Sequence, residues 1–176
     1  GKMADGKLFA PKYIENKLKF FPFIKEAVVF GDQRHAVMVF INIDFEAMAN
    51  WAERRNISFA GYVDLASQAA VYDIIGECID QVNADLSEDD MLSHAQIARF
   101  LILNKELDPD DDELTRTRKV RRGFISEKYA VLVDALYDNK DEQFIEIKVK
   151  FEDGRDGQIS GNVAIRNAKK IGGLVR

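Results

Sequence analysis

The stretch "YVDLASQAAVYDIIGECIDQVNADL", Tyr62 to Leu86, most constrains the fold of this chain. Within it Val71, Ile74, Ile75, Cys78, Ile79, Val82 and Leu86 recur at spacings of three, one, three, one, three and four. That pattern lays seven apolar side chains on one face of a helix, and such a face must be covered. The cover is predicted from β-rich runs elsewhere. Residues 27–30 and 37–43, joined by the turn "GDQRHA", read as a hairpin, and "IARFLILNK" (97–105) as a further strand. A short helix begins at Pro11, a favourable first helical position, with Ile14 and Leu18 four apart. Another runs from Phe45 to Arg55 through Met48, Ala49 and Ala52. Cys78 lies in the long stripe and is expected to be a buried thiol; a lone cysteine permits no intramolecular disulfide.

Downstream, Ile125, Tyr129, Leu132, Val133 and Leu136 define one more amphipathic helix. Beyond Tyr137 the period changes to two. "EQFIEIKVKF", the turn "EDGRDG" and "QISGNVAIRN" form an alternating hairpin with Ile145, Ile147, Val149 and Phe151 facing one way. The order of hairpin, helices, strand, helix and hairpin indicates an α+β fold, a mixed sheet flanked by helices, rather than a doubly wound parallel sheet. The natural division is residues 1–139 as a domain and 140–176 as a β-hairpin extension.

Charge narrows the function. With 25 Lys and Arg against 30 Asp and Glu, the net charge of −5 disfavours a general nucleic-acid binder. No apolar run approaches the roughly 20 residues of a membrane span, and the start "GKMADGKLF" has no signal-peptide core, so a cytoplasmic location is expected. Walker A, HExxH, GxSxG and a GxGxxG after a strand are all absent. His35 and His94 read as solvated, and the acidic run from Asp108 to Glu113 as a solvated loop without the glycine an EF-hand needs; no metal site is expected. Against this acidic background, "ELTRTRKVRR" gathers Arg116, Arg118, Lys119, Arg121 and Arg122 ahead of a helix N-terminus, where cations oppose the macrodipole unless an anion arrives. Alternating Leu114, Thr115 and Thr117 imply an extended segment that holds a lysine at a loop end.

"ELTRTRKVRR" resembles the C-terminal lysine motif of the adenylate-forming enzymes, which include acyl-CoA synthetases, luciferases and peptide-synthetase adenylation domains. "DGKLFAPKYIENKL" resembles the family's Gly-rich loop followed by Pro and an Ile-Glu helix, here Gly6, Pro11, Ile14 and Glu15. "FIKEAVVFGD", "VNADL", "ISEKY" and "LVDALY" follow in family order, so the resemblance covers residues 2 to 137 and implies the small C-terminal domain of the superfamily. "LTxTxK" followed by basic residues is similar to long-chain fatty acyl-CoA synthetases. Other branches more often have Gly before the lysine, where this chain has Arg118.

The resemblance implies a ligase that joins a fatty acid to ATP and then passes the acyl group to CoA. Lys119 matches the adenylation lysine, Lys2 the lysine after the hinge, and Gly6 the loop that lines the pantetheine path. ATP, magnesium and CoA belong to the full-length enzyme, with its large N-terminal domain as partner and the hinge before Gly1. None is expected tightly bound to this chain, which is expected to be inactive alone. Peripheral contact of the parent with the inner membrane face is a further expectation. The competing readings are transfer to a carrier protein, luciferase-like oxidation, or a non-catalytic module binding phosphorylated partners or RNA. Poor aromatic interleaving around Arg116 to Arg122 argues against RNA.

Overall fold

The computed structural model describes residues 1–172; residues 173–176, the end of the extension expected over 140–176, lie outside the described residues. Strands β1 (Ile24–Phe30), β2 (Val37–Ile43), β3 (Ile97–Ile102), β4 (Glu142–Lys150) and β5 (Asp156–Asn167) form one mixed sheet in the order β1-β2-β3-β5-β4. β1 and β2 are the antiparallel hairpin expected from the sequence, with Val29 opposite Val39. β3 adds parallel to β2, and the long β5 pairs antiparallel with both β3 and β4.

β2 is apolar in almost every position because both its faces are covered. Val37, Val39, Ile41 and Ile43 point into one core, and Met38 and Phe40 into the other. Helices α1 (Pro11–Lys19), α2 (Phe45–Arg54), α3 (Gly61–Ser67) and α4 (Ala69–Ser87) cover the first core, where Ile75, Ile79 and Val82 meet Phe100 and Ile102. Helices α5 (Arg122–Lys128) and α6 (Ala130–Tyr137) cover the second, with Ile125, Tyr129, Leu132 and Leu136 all buried. Ile145, Ile147, Val149, Val163 and Ile165 of the terminal hairpin join that same core.

Two helices are each broken where a continuous pattern was expected. Gln68 takes extended angles (φ −74°, ψ 139°) and its side chain donates to the Ser58 carbonyl, which splits 62–86 into α3 and α4. Tyr129 (φ −106°, ψ 27°) separates α5 from α6. Neither Gln nor Tyr is a helix breaker, so tertiary contacts override propensity at both positions. Phe151 also departs from expectation. It lies beyond the end of β4, is 47% exposed, and turns its ring over Gly157, where an added Cβ would come within 2.0 Å of it. Cys78 is buried as expected, and burial pushes its thiol up to about 11.

Candidate functional site

Lys119 sits on a tight β-loop rather than on an extended segment. Leu114 and Val120 form an antiparallel bridge that closes it. Inside, the Thr115 N–H donates to the Lys119 carbonyl (2.8 Å), and the Lys119 N–H donates back to Thr115 Oγ1 (3.0 Å). Thr115 Oγ1 also lies 3.1 Å from Thr117 Oγ1, so both threonines act as loop fasteners. The loop turns at Arg118, whose φ of 63° is in the left-handed region and whose N–H donates to the Thr115 carbonyl. A non-glycine residue there costs about 1–2 kcal/mol. The left-handed backbone at Arg118 is one that glycine adopts without that cost.

The five cations of this stretch divide by partner. Arg122 makes a fork with Glu15 and donates to the Val29 carbonyl at 2.9 Å. Arg121 donates to the Asp112 carbonyl at 2.9 Å and lies over the Phe124 ring. Arg118 reaches Glu26 at 4.0 Å. Lys119 and Arg116 are exposed, and among the described residues neither has a carboxylate partner. The anion that offsets cations at the start of α5 is therefore in part the protein's own Glu15. Glu15 is 7% exposed and also accepts the Val29 N–H at 2.8 Å, so one carboxylate ties α1, β1 and α5 together.

Beneath the loop lies a buried ion cluster. Glu113 is fully buried and accepts from Lys105, from Lys128 (2.8 Å), from the Tyr129 hydroxyl (2.5 Å) and from the Asp108 N–H (3.1 Å). Lys105 also pairs with Asp111 at 2.9 Å. The acidic run is thus only partly solvated, which corrects the sequence expectation: Asp111 and Glu113 point inward as counter-ions of Lys105 and Lys128. Burial would raise the Asp111 carboxyl, but the Lys105 hydrogen bond, the Lys150 N–H (3.0 Å) and the Lys105 charge outweigh it and hold it below the usual range. Burial, reinforced by the Glu113 charge, pushes the Tyr129 hydroxyl far up, so it stays a proton donor to Glu113. Among the described residues no three His, Cys, Asp or Glu side chains converge as a metal would require.

Lys2 and Gly6 occupy a second loop. Lys2 bridges Leu8, its N–H donates to Asp32 (3.1 Å), and its carbonyl accepts from Gln33 (2.8 Å). His94 is not simply solvated: its Nε2 lies 2.6 Å from the Leu8 carbonyl and fastens this loop, while exposed His35 meets the Tyr137 ring edge-on. Gly6 has φ +84°, and an added Cβ would meet nothing within 4 Å. The glycine is required by the backbone, and the space beside it is open.

The two loops are held apart by β1. Arg118, next to Lys119, reaches Glu26 near the start of that strand, and Lys2 is bound to Asp32 just past its end. Those anchors lie toward opposite ends of β1, Glu26 within the strand and Asp32 two residues past Phe30. Sequence reading missed the Glu15–Arg122 fork and the Glu113 cluster. Glu15 and Arg122 are 107 positions apart, and no local pattern marks such a pair.

Comparison with known proteins supports one lineage. Residues 2–141 match the AMP-binding enzyme C-terminal domain family, and the terminal hairpin begins at Glu142, just beyond that match. The long-chain-fatty-acid–CoA ligase FadD15 of Mycobacterium tuberculosis (strain ATCC 25618 / H37Rv) is 34% identical over 139 residues, covering 78% of this chain and 22% of the relative. The putative fatty-acid–CoA ligase fadD11 of the same species (strain CDC 1551 / Oshkosh) is 31% identical over 135 residues, covering 76% of this chain and 23% of the relative. The chain thus spans less than a quarter of the length of these relatives. Among solved structures, the A-PCP didomain of carboxylic acid reductase from Segniliparus rugosus, in complex with AMP, shares the fold with a TM-score of 0.58 at 18% identity, over 79% of this chain and 17% of that one. By its match over residues 2–141, this α+β chain belongs to the AMP-binding enzyme C-terminal domain family.

Proposed function

We propose that this chain is the C-terminal domain of an AMP-forming long-chain fatty acid–CoA ligase and that Lys119 is its adenylation lysine. One observation carries the reading: a hydrogen-bonded loop presents the Lys119 ammonium without a carboxylate partner among the described residues, while Arg118, Arg121 and Arg122 beside it have protein partners. An unpaired cation on an ordered loop is available to an external anion.

In the first half-reaction a fatty carboxylate attacks the α-phosphate of ATP, so two anions must approach. The Lys119 ammonium screens that repulsion and stabilises the negative charge that builds on the phosphoryl oxygens. Fixing the loop by Thr115 means little reorganisation is needed when the charge develops. Magnesium, which the reaction uses with ATP, finds no cluster of ligands among the described residues of this chain. On this reading its ligands come from the N-terminal domain of the full-length enzyme. Gly6, with an open side and a backbone that excludes a Cβ, suits the passage of the thin pantetheine arm of CoA, and Lys2 lies on the same loop.

In the full-length enzyme, Lys119→Ala is expected to lower ATP–pyrophosphate exchange by about 10²–10³. Acyl transfer from supplied acyl-adenylate to CoA should persist. Equal loss of both steps would remove Lys119 from the adenylation role.

A further inference from the structure

The five-stranded sheet ends in two unlike edges. At β1 the ladder is irregular between Ile24 and Glu26, and the outward N–H and C=O of Val29 are both taken, by Glu15 at 2.8 Å and by Arg122 at 2.9 Å. A bulge and a covering element are ordinary ways to keep an edge from pairing with another chain. β4, at the other edge, pairs with β5 from Glu142 to Lys150 without a register shift, and its sequence holds no proline.

The pairing fixes which backbone groups face outward. The Phe151 N–H donates to the Arg155 carbonyl and the Ile165 N–H to the Asp141 carbonyl, so the odd-numbered residues of β4 bond to β5 and the even-numbered ones point away from it. The Lys150 N–H follows this alternation: it donates outward to Asp111 at 3.0 Å, which occupies that end of the edge. From Glu142 to Lys148 the even positions are open among the described residues, apart from the Phe144 carbonyl. That carbonyl accepts from the Gln143 side chain at 3.0 Å and keeps a second lone pair. The side chains alternate in step: Ile145, Ile147 and Val149 are buried, while Glu142, Phe144, Glu146 and Lys148 are exposed. Neither Glu142 nor Lys148 has an ion-pair partner among the described residues.

We propose that β4 pairs with β4 of a second copy of this chain, antiparallel, about a two-fold axis through Ile145. In that register Glu142 lies opposite Lys148 of the second copy and Phe144 opposite Glu146 of the second copy, and each opposed pair exchanges two backbone hydrogen bonds. Symmetry makes the charge pair twice. The two Phe144 rings, each 49% exposed, lie on the diagonal across the axis, about 7–8 Å apart and within reach of aromatic side chains. Glu146 is already held by Gln158 of its own hairpin. The neighbouring registers that keep the alternation fail. Centring on Phe144 sets Glu142 against Glu146, centring on Glu146 sets that carboxylate against its own copy, and centring on Ile147 needs the Lys150 edge that Asp111 occupies. The surface lies beyond residues 2–141, and the pairing is independent of the adenylation role of Lys119.

The test is sedimentation equilibrium of the 176-residue chain up to about 1 mM, since an edge this short supports only a weak dimer. The expected result is a reversible monomer–dimer equilibrium that weakens as salt screens the exposed charge pairs. Glu142→Lys and Lys148→Glu should each weaken association at least about tenfold, because like charges then stand directly opposite at both sites. An equimolar mixture of these two variants should associate about as well as the parent, because each reversed charge then faces its opposite. Glu146→Pro removes an outward N–H where an edge strand tolerates proline, and should leave a folded monomer. If that variant does not fold, the charge reversals and their mixture decide alone. The proposal is overturned by a chain that stays monomeric throughout, by association that neither reversal weakens, by a mixture no tighter than its components, or by a folded Glu146→Pro chain that associates like the parent.

Discussion

At the scale of single residues, the basic stretch separates into cations tied to the fold and two exposed ones, Arg116 and Lys119, that have no carboxylate partner among the described residues. Arg122 belongs to the first kind, since its fork to Glu15 and its bond to the Val29 carbonyl join three elements. Replacing it with Ala strands a carboxylate that is 7% exposed, an expected cost of about 3 kcal/mol. Arg122→Lys should recover only part of that loss, because an ammonium keeps the charge but not the fork. Urea unfolding of the two variants measures both, and an Arg122→Ala chain as stable as its parent would contradict the structural assignment. Lys119, by contrast, should be replaceable with little change in stability, because its side chain is exposed. The distinction was not legible from the stretch itself. Arg118, Arg121 and Arg122 look alike there, and only their partners at Glu26, Asp112 and Glu15 separate them from Lys119.

At the scale of elements, what was legible follows local periodicity and what was missed follows long-range polar contact. The β1–β2 hairpin, α1, α2, the stripe of α4 and the alternation of β4 were all readable because burial on one or two faces imposes a period. The breaks at Gln68 and Tyr129 were not. Tyr129 stops one helix while its hydroxyl holds Glu113, which is 16 positions away. The acidic loop shows the same limit, since composition suggests solvation but Lys105 draws Asp111 inward. That pair also links the loop below Lys119 to the terminal hairpin through the Lys150 N–H. Asp111 lies below its ordinary pKa in the folded chain, so its stabilisation is present above the unfolded value of about 3.9 and is lost as pH falls through the folded value. Asp111→Asn should therefore cost about 1–3 kcal/mol at pH 7, and the gap to the parent should close as pH falls below the unfolded value and through the lower folded one. Thermal unfolding at a series of pH values checks this, and a gap that does not change with pH would show that the charge plays no part.

At the scale of the whole molecule, the sheet places two loops of different character at the two ends of β1. One offers Lys119, a cation without a carboxylate partner among the described residues, and the other an open glycine at Gly6. The family motifs were legible because each loop needs particular residues: threonines to fasten the lysine, and a glycine at positive φ. The seat of the terminal hairpin was not legible, because β5 chooses β3 as its neighbour through pairing 68 positions away in sequence, Arg99 with Asn167. Under the proposed function, the two loops serve different half-reactions of one ligase, and both half-reactions can be measured in a full-length Gly6→Leu enzyme. Leucine at φ +84° strains the backbone by about 1–2 kcal/mol and fills the open side of the loop, so folding is verified first by thermal unfolding. The expected outcome is near-normal ATP–pyrophosphate exchange, accumulation of bound acyl-adenylate and strongly reduced acyl-CoA release. Normal acyl-CoA release from a well-folded Gly6→Leu enzyme, or loss of pyrophosphate exchange to the same degree as thioester formation, would contradict it.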